Sequence, residues 1–361
     1  MSVIRARERL VWVDHARAAG IVLVVVGHAV LSLERSGVPV DMDLLRAVET
    51  AIYAFHMPLF FVLAGMTHGL ASKPGVAAAA RSLWWTIVAP YLIWSTIWVG
   101  LKAAFPAASN TATGLTSAWE ILWIPVDHFW FLYVLLIVRL AWYAVDATGS
   151  AMLRKLAVVA PLAVCFVGFE PGGGVFSLWL FFWASFYGVG VLLGTTIGAL
   201  RRPTLAVIVA AGVAVWAGGL ILVPSLLPAG VGIVRTAVAI GGSLALLAAA
   251  ALAPVRGGAM SRLVGFVGEA SLAIFLTHTL VGAAVRIGLR QTDLLTAPLY
   301  LIAAVGLGIV LPALAYFAVL RAGAQLSLPL ARYVGFGTAR DSYYIPHGGR
   351  LPDAAGPTPA A

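Results

Sequence analysis

Arg17 and His28 lie eleven residues apart in an otherwise apolar run. At about 100° and 1.5 Å per residue, a helix returns both side chains to one face, roughly 16 Å apart along its axis. Asp14, three residues before Arg17, shares that face and is placed to pair with it or hold it in position. Three further histidines interrupt apolar runs: His56 in Phe55-His56-Met57-Pro58-Leu59-Phe60-Phe61, His128 in Asp127-His128-Phe129-Trp130-Phe131-Leu132, and His278, sixteen residues after Arg262. A histidine of ordinary pKa, about 6.5, removes a proton from a hydroxyl at neutral pH, which an alcohol needs to attack a thioester. Arginine recognises phosphate through its planar fork. Each residue also has a plainer reading, since a lone membrane histidine often only bridges two helices and Arg17 alone reads as a charge anchored at the membrane face. The set says more than its members. Four histidines also raise a metal site, but no two are spaced at i, i+3 or i, i+4, so neither a metal nor any other bound cofactor is expected.

The elements that must position these residues are membrane spans. The chain is 61% hydrophobic and 10% charged, too little polar surface to face water, where soluble domains carry about 25% charge. Runs of about 20 apolar residues give ten candidate helices: 16–33, 48–70, 83–104, 121–145, 154–169, 176–198, 204–223, 231–253, 262–287 and 296–320. The breaks hold the usual punctuation, including Lys73-Pro74-Gly75, Pro171 with Gly172 to Gly174, and Pro224. The expected class is an all-α integral membrane protein, a bundle of about ten transmembrane helices over 1–330, followed by a disordered cytoplasmic tail over 331–361. The net charge of +9 is dispersed between apolar runs rather than massed, which argues against nucleic acid and for topology. Basic residues recur on alternate segments: Arg5, Arg7 and Arg9; Lys73 and Arg81; Arg154 and Lys155; Arg201 and Arg202; Arg256 and Arg262; and the carboxyl tail. Both termini are therefore expected in the cytoplasm. The first run carries polar residues and is not expected to be cleaved as a signal peptide.

This topology brings His28, His56, His128 and His278 to similar depth in the outer half of the bilayer. Such a set predicts a hydrated, protonatable cavity. Its basic inner mouth, Arg17 with Lys73 and Arg81, suits the phosphates of coenzyme A, whose pantetheine arm would span the distance to His28. Asp127 joins His56, His128 and His278 as a candidate for catalysis or for binding the acceptor. His68 and His347 receive no role, and Cys165 reads as packing. The sequence offers no His-Glu-x-x-His helix, Walker A loop or Gly-x-Ser-x-Gly elbow. A transporter or flippase for a sugar-containing lipid is the competing reading, since carriers also place His and Asp between helices; the related halves common in carriers are not seen.

The same residues carry a resemblance. Trp12-Val13-Asp14-His15-Ala16-Arg17-Ala18-Ala19-Gly20-Ile21, continuing to Val26-Gly27-His28-Ala29, resembles the opening signature of the acyltransferase 3 family, particularly its fucose 4-O-acetylase-like branch. Phe55 through Gly65 is similar to that branch's second-helix motif, His128-Phe129-Trp130-Phe131-Leu132 to its fourth, and Gly268 through Ser271-Leu272 to His278 to its late one. The resemblance implies an inner-membrane enzyme that moves an acyl group, usually acetyl from acetyl-CoA, onto a sugar hydroxyl of a glycan, lipid-linked saccharide or glycosylated product. By motif position, Arg17 and His28 would be the family's essential pair, with His28 as general base or transient acyl carrier.

Overall fold

The computed structural model describes residues 10–34, 36, 38–68, 76–105, 115–167, 179–222, 232–253 and 258–337; Arg5, Arg7, Arg9, Lys73, Pro74, Gly75, Pro171, Gly172 to Gly174, Pro224, Arg256 and His347 lie outside them. The first span is one unbroken helix, α1 (Val11–Glu34). The second is broken, and Pro58 decides where. An interior proline has no N–H for the carbonyl four residues back and its ring collides with it. The chain accordingly leaves the helix at Ala54 and Phe55, between α2 (Met42–Tyr53) and α3 (His56–Met66). Pro58 then falls in the first turn of α3, where no N–H is required. His56 repairs the break, its Nδ1–H donating to the Ile52 carbonyl at 2.9 Å.

Other departures from straight helices follow the same logic. After α4 (Val76–Leu83), a π segment over Trp84–Val88 leads into α5 (Ala89–Ala104), and the Ala89 N–H reaches back to the Trp84 carbonyl. Pro90, which cannot donate, stands immediately after. The expected fourth helix over 121–145 begins late: Leu115–Leu122 and Asp127–Phe129 are 3₁₀ turns on either side of Pro125, and α6 runs Trp130–Ala147. His128 is therefore in a turn rather than in the helix. α7 (Ala151–Val167), α8 (Trp179–Leu193), α9 (Arg202–Leu222) and α10 (Ile233–Leu252) follow. The expected helix over 262–287 is two, α11 (Ala259–Glu269) and α12 (Ser271–Gln291), parted at Ala270; α13 (Ala297–Leu326) and the short α14 (Leu330–Tyr333) complete the chain.

Among the described residues no strand occurs, and nine helices are long and apolar enough to cross a membrane. The expected segment 154–169 corresponds to α7, whose 17 residues fall short of the usual ~20. α1 is the central helix, packed against α2, α3, α10, α11, α12 and α13. Two crossings that frame the histidine-bearing helices are backbone to backbone. A Cβ on Gly65 would lie 2.0 Å from the Tyr187 carbonyl oxygen, and one on Gly190 would lie 2.1 Å from that of Val62, so α3 and α8 touch without side chains between them. A Cβ on Gly268 would lie 2.0 Å from the Asp14 carbonyl oxygen, which fixes α11 against the Arg17 end of α1. α9, at the periphery, exposes Val207, Val213, Ile221 and Leu222 as a lipid-facing surface requires. The folded part passes the expected boundary at 331: Trp94 donates to the Val334 carbonyl at 3.0 Å and stacks on Phe336. Residues 338–361, the rest of the expected tail, lie outside the described residues.

Candidate functional site

The four histidines converge. Ring centroids of His28 and His278 are 5.1 Å apart, those of His128 and His278 5.4 Å, and those of His28 and His128 5.8 Å. His56 joins through Tyr53, whose ring is 4.7 Å from His56 and 6.2 Å from His28. Four elements supply them: α1, the start of α3, the 3₁₀ turn before α6, and α12. Their mutual depth needs Gly308 on α13, which lies against Val25 and the backbone of His278. His56, His128 and His278 are buried, and His28 is half-buried.

The hydrogen bonds assign protons. Nδ1 of His278 faces the carbonyls of Ile274 and Phe275, both at 2.9 Å, and a carbonyl can only accept. Nδ1 therefore carries the hydrogen and Nε2 the lone pair. That Nε2 and the Nε2 of His128 are buried without a hydrogen-bond partner, so the cluster holds nitrogens available to a substrate. The rings meet at steep angles rather than converging on one point, and among the described residues no three His, Cys, Asp or Glu side chains are grouped as a metal's ligands would be.

Asp127 is engaged elsewhere. Its φ of 44° is unusual for a residue with a side chain, and its carboxylate pairs with Lys102 Nζ at 2.6 Å while accepting from Trp98 Nε1. The Trp98 ring stands edge-on to His128 at 5.8 Å. Asp127 thus clamps the turn that carries His128. Lys102 was legible as a cation inside an apolar run, the signal that singled out the histidines, but its partner lies on another helix.

Arg17 is in the same unbroken helix as His28, so the predicted helical spacing of roughly 16 Å applies. Its guanidinium pairs with Asp14 at 3.6 Å, the two side chains 18% and 13% exposed. Arg81 is exposed on α4, and Lys73 lies outside the described residues. His15, adjacent in the motif, turns away from this face toward Ser261 Oγ at 3.3 Å. His68, given no role from sequence, is buried between the Tyr187 hydroxyl and the Asp146 carboxylate, each at 2.8 Å, with Arg154 on the same carboxylate at 3.4 Å. This network ties α6, α7 and α8 to His68, two residues past the end of α3.

The arrangement gathers imidazole nitrogens away from bulk water, with a cation roughly 16 Å along the helix face that carries His28. The nodulation protein NolL of Mesorhizobium japonicum is 30% identical over 123 residues, 33% of this chain and 31% of that protein, so the likeness spans under a third of the relative. No solved structure gives a significant match. The family model described as an acyltransferase domain matches residues 10–317, a stretch that contains Arg17, all four clustered histidines and every helix that carries them, and the chain is an enzyme of the acyltransferase 3 family.

Proposed function

We propose that this membrane acyltransferase moves an acetyl group from acetyl-CoA to a hydroxyl of a sugar or glycan. The observation that carries the reading is the meeting of the His28, His128 and His278 rings, with His56 joined through Tyr53, one pantetheine length along α1 from Arg17. The donor enters at the Arg17 end, where Arg17, Lys73 and Arg81 meet the coenzyme A phosphates, and the acceptor enters from the end bearing Ser32. His28, the half-buried member of the cluster, takes the hydroxyl proton while the oxygen bonds to the thioester carbonyl. The tetrahedral intermediate then breaks its C–S bond, and the imidazolium returns the proton to the departing thiolate. If His28 instead carries the acyl group transiently, a neighbour must take the hydroxyl proton, and the free Nε2 of His278 or His128 is in place to do so. The fucose 4-O-acetylase-like motifs support a saccharide acceptor and a cytoplasmic (inner) membrane location, and the charge pattern supports both termini being cytoplasmic.

The test is incubation of the purified protein with labelled acetyl-CoA and glycan fractions of the source cell. Label should enter an ester of the acceptor only when donor, acceptor and protein are together. The broken α2–α3 segment also suits a carrier, and movement of a sugar-containing lipid without any covalent product would replace the enzyme reading of this site with that one.

A further inference from the structure

Beyond the histidines, toward the Ser32 end of α1, a second polar layer has no part in the chemistry above. His278, Gly282, Arg286 and Arg290 recur every four residues along α12 and share one face. Ser32 follows His28 at the same interval on α1, and Ser36 stands two residues past the end of that helix. The parallel helices are joined there, Arg286 Nη1 donating to Ser32 Oγ at 3.2 Å and Arg290 Nη2 to the Ser36 carbonyl at 2.8 Å. α13 runs the opposite way and brings Tyr300, fully buried, so that its hydroxyl faces Gly282, 3.8 Å from where a Cβ would stand, beside Ser32 and Arg286. That hydroxyl has Ser32 as its polar neighbour, and Nε2 of His278, one layer below, is buried without a hydrogen-bond partner.

Arg286 also points against its ordinary preference. A long cation near the end of a span reaches outward to water, whereas this half-buried guanidinium reaches back along α12 to Ser32. It donates to a neutral hydroxyl, and among the described residues no carboxylate forms an ion pair with it. Glu34, two residues beyond Ser32, pairs with Arg46. A cation, a hydroxyl and a buried phenol around a glycine that contributes no side chain make a cradle for an oxyanion.

We infer that Arg286, Ser32 and Tyr300 bind a phosphate group of the acceptor. The inference rests on the acyl-transfer reading only in assigning the anion to an acceptor. Ser32 is one turn, about 6 Å, beyond His28, close to the width of one pyranose ring. The acceptor class is therefore a glycosyl phosphate, its phosphate held by Arg286 and a ring hydroxyl presented to the histidines. Arg290 adds a second positive charge at the entrance.

The experiment measures thermal unfolding of full-length protein in phosphate-free maltoside micelles and in phosphatidylcholine nanodiscs, with hexose 1-phosphates, the free hexoses, inorganic phosphate or acetyl-CoA added. In micelles a hexose 1-phosphate should raise the midpoint where the free hexose does not. Arg286→Gln should weaken that binding about 10- to 100-fold, as loss of a charge-assisted pair does, and leave the acetyl-CoA shift unchanged. Tyr300→Phe, which keeps the packing, should give a smaller loss and decides the matter if Arg286→Gln does not fold. Equal shifts with free and phosphorylated hexose, or an undiminished shift in Arg286→Gln and Tyr300→Phe, would overturn the proposal. So would an Arg286-dependent shift produced by phosphatidylcholine and not by hexose phosphate, which would make this a headgroup site. A wild-type protein that responds to hexose phosphate but not to acetyl-CoA sinks the donor reading and leaves the phosphate site standing.

Discussion

An imidazole that has committed one nitrogen to a backbone carbonyl can work only with the other. His56 and His278 are in that state through Nδ1, so each offers a single nitrogen of known position. His28, half-buried and central to the ring contacts, is the member proposed to meet both substrates. His28→Gln keeps a hydrogen-bonding side chain that cannot take a proton near pH 7. Transfer should fall about 10²- to 10⁴-fold while acetyl-CoA binding stays within a few-fold; turnover close to wild type would move the base to His278 or His128. At the other end, Arg17→Ala should weaken acetyl-CoA binding more than Arg17→Lys, which keeps the charge but loses the fork. Binding unchanged in both would reduce Arg17 to the partner of Asp14. Much of this site was legible because each residue breaks an apolar run. What was not legible needed a second helix to give it meaning: Lys102 with Asp127, His68 with Asp146 and Tyr187, Arg286 with Ser32.

Helices carry the histidines only as accurately as the helices meet. The α3–α8 crossing allows no atom between backbones at Gly65, whereas a Cβ on Gly100 of α5 would meet nothing within 4 Å. Gly65→Ala should therefore destabilise the protein by about 1–3 kcal/mol, the usual cost of overpacking, and disturb His56 nine residues away on the same helix. Gly100→Ala should be neutral or raise stability by up to about 1 kcal/mol. Unfolding midpoints in detergent compare them, and equal midpoints would show that the crossing yields without strain. At this scale sequence located apolar runs well and their interruptions less well. Pro58 announced a break whose position, at the residue whose carbonyl it opposes, follows from its ring. The break at Ala270 had no such marker, because Glu269-Ala270-Ser271 contains no proline or glycine and the bend serves the packing of Gly268 against Asp14.

The whole bundle must also be oriented, and the charge pattern predicts that the loop bearing Lys73 faces the cytoplasm. Lys73→Cys should resist a membrane-impermeant thiol reagent in intact cells and react in inverted vesicles, against little background since the single native cysteine, Cys165, is 1% exposed. Labelling in intact cells would invert the topology and with it the donor and acceptor ends. The central position of α1 has a further consequence for how the molecule is made. Its neighbours α10 to α13 come from residues 233–326, some two hundred residues later in the chain. During synthesis the helix bearing Asp14, Arg17 and His28 leaves the ribosome long before most of the surfaces that will enclose it. Until then its polar face must be sheltered by α2 and α3, by insertion machinery or by water at the bilayer edge, because lipid alone satisfies none of those groups. Assembly of this enzyme is therefore a late event, governed by the last third of the chain returning to the helix that began it.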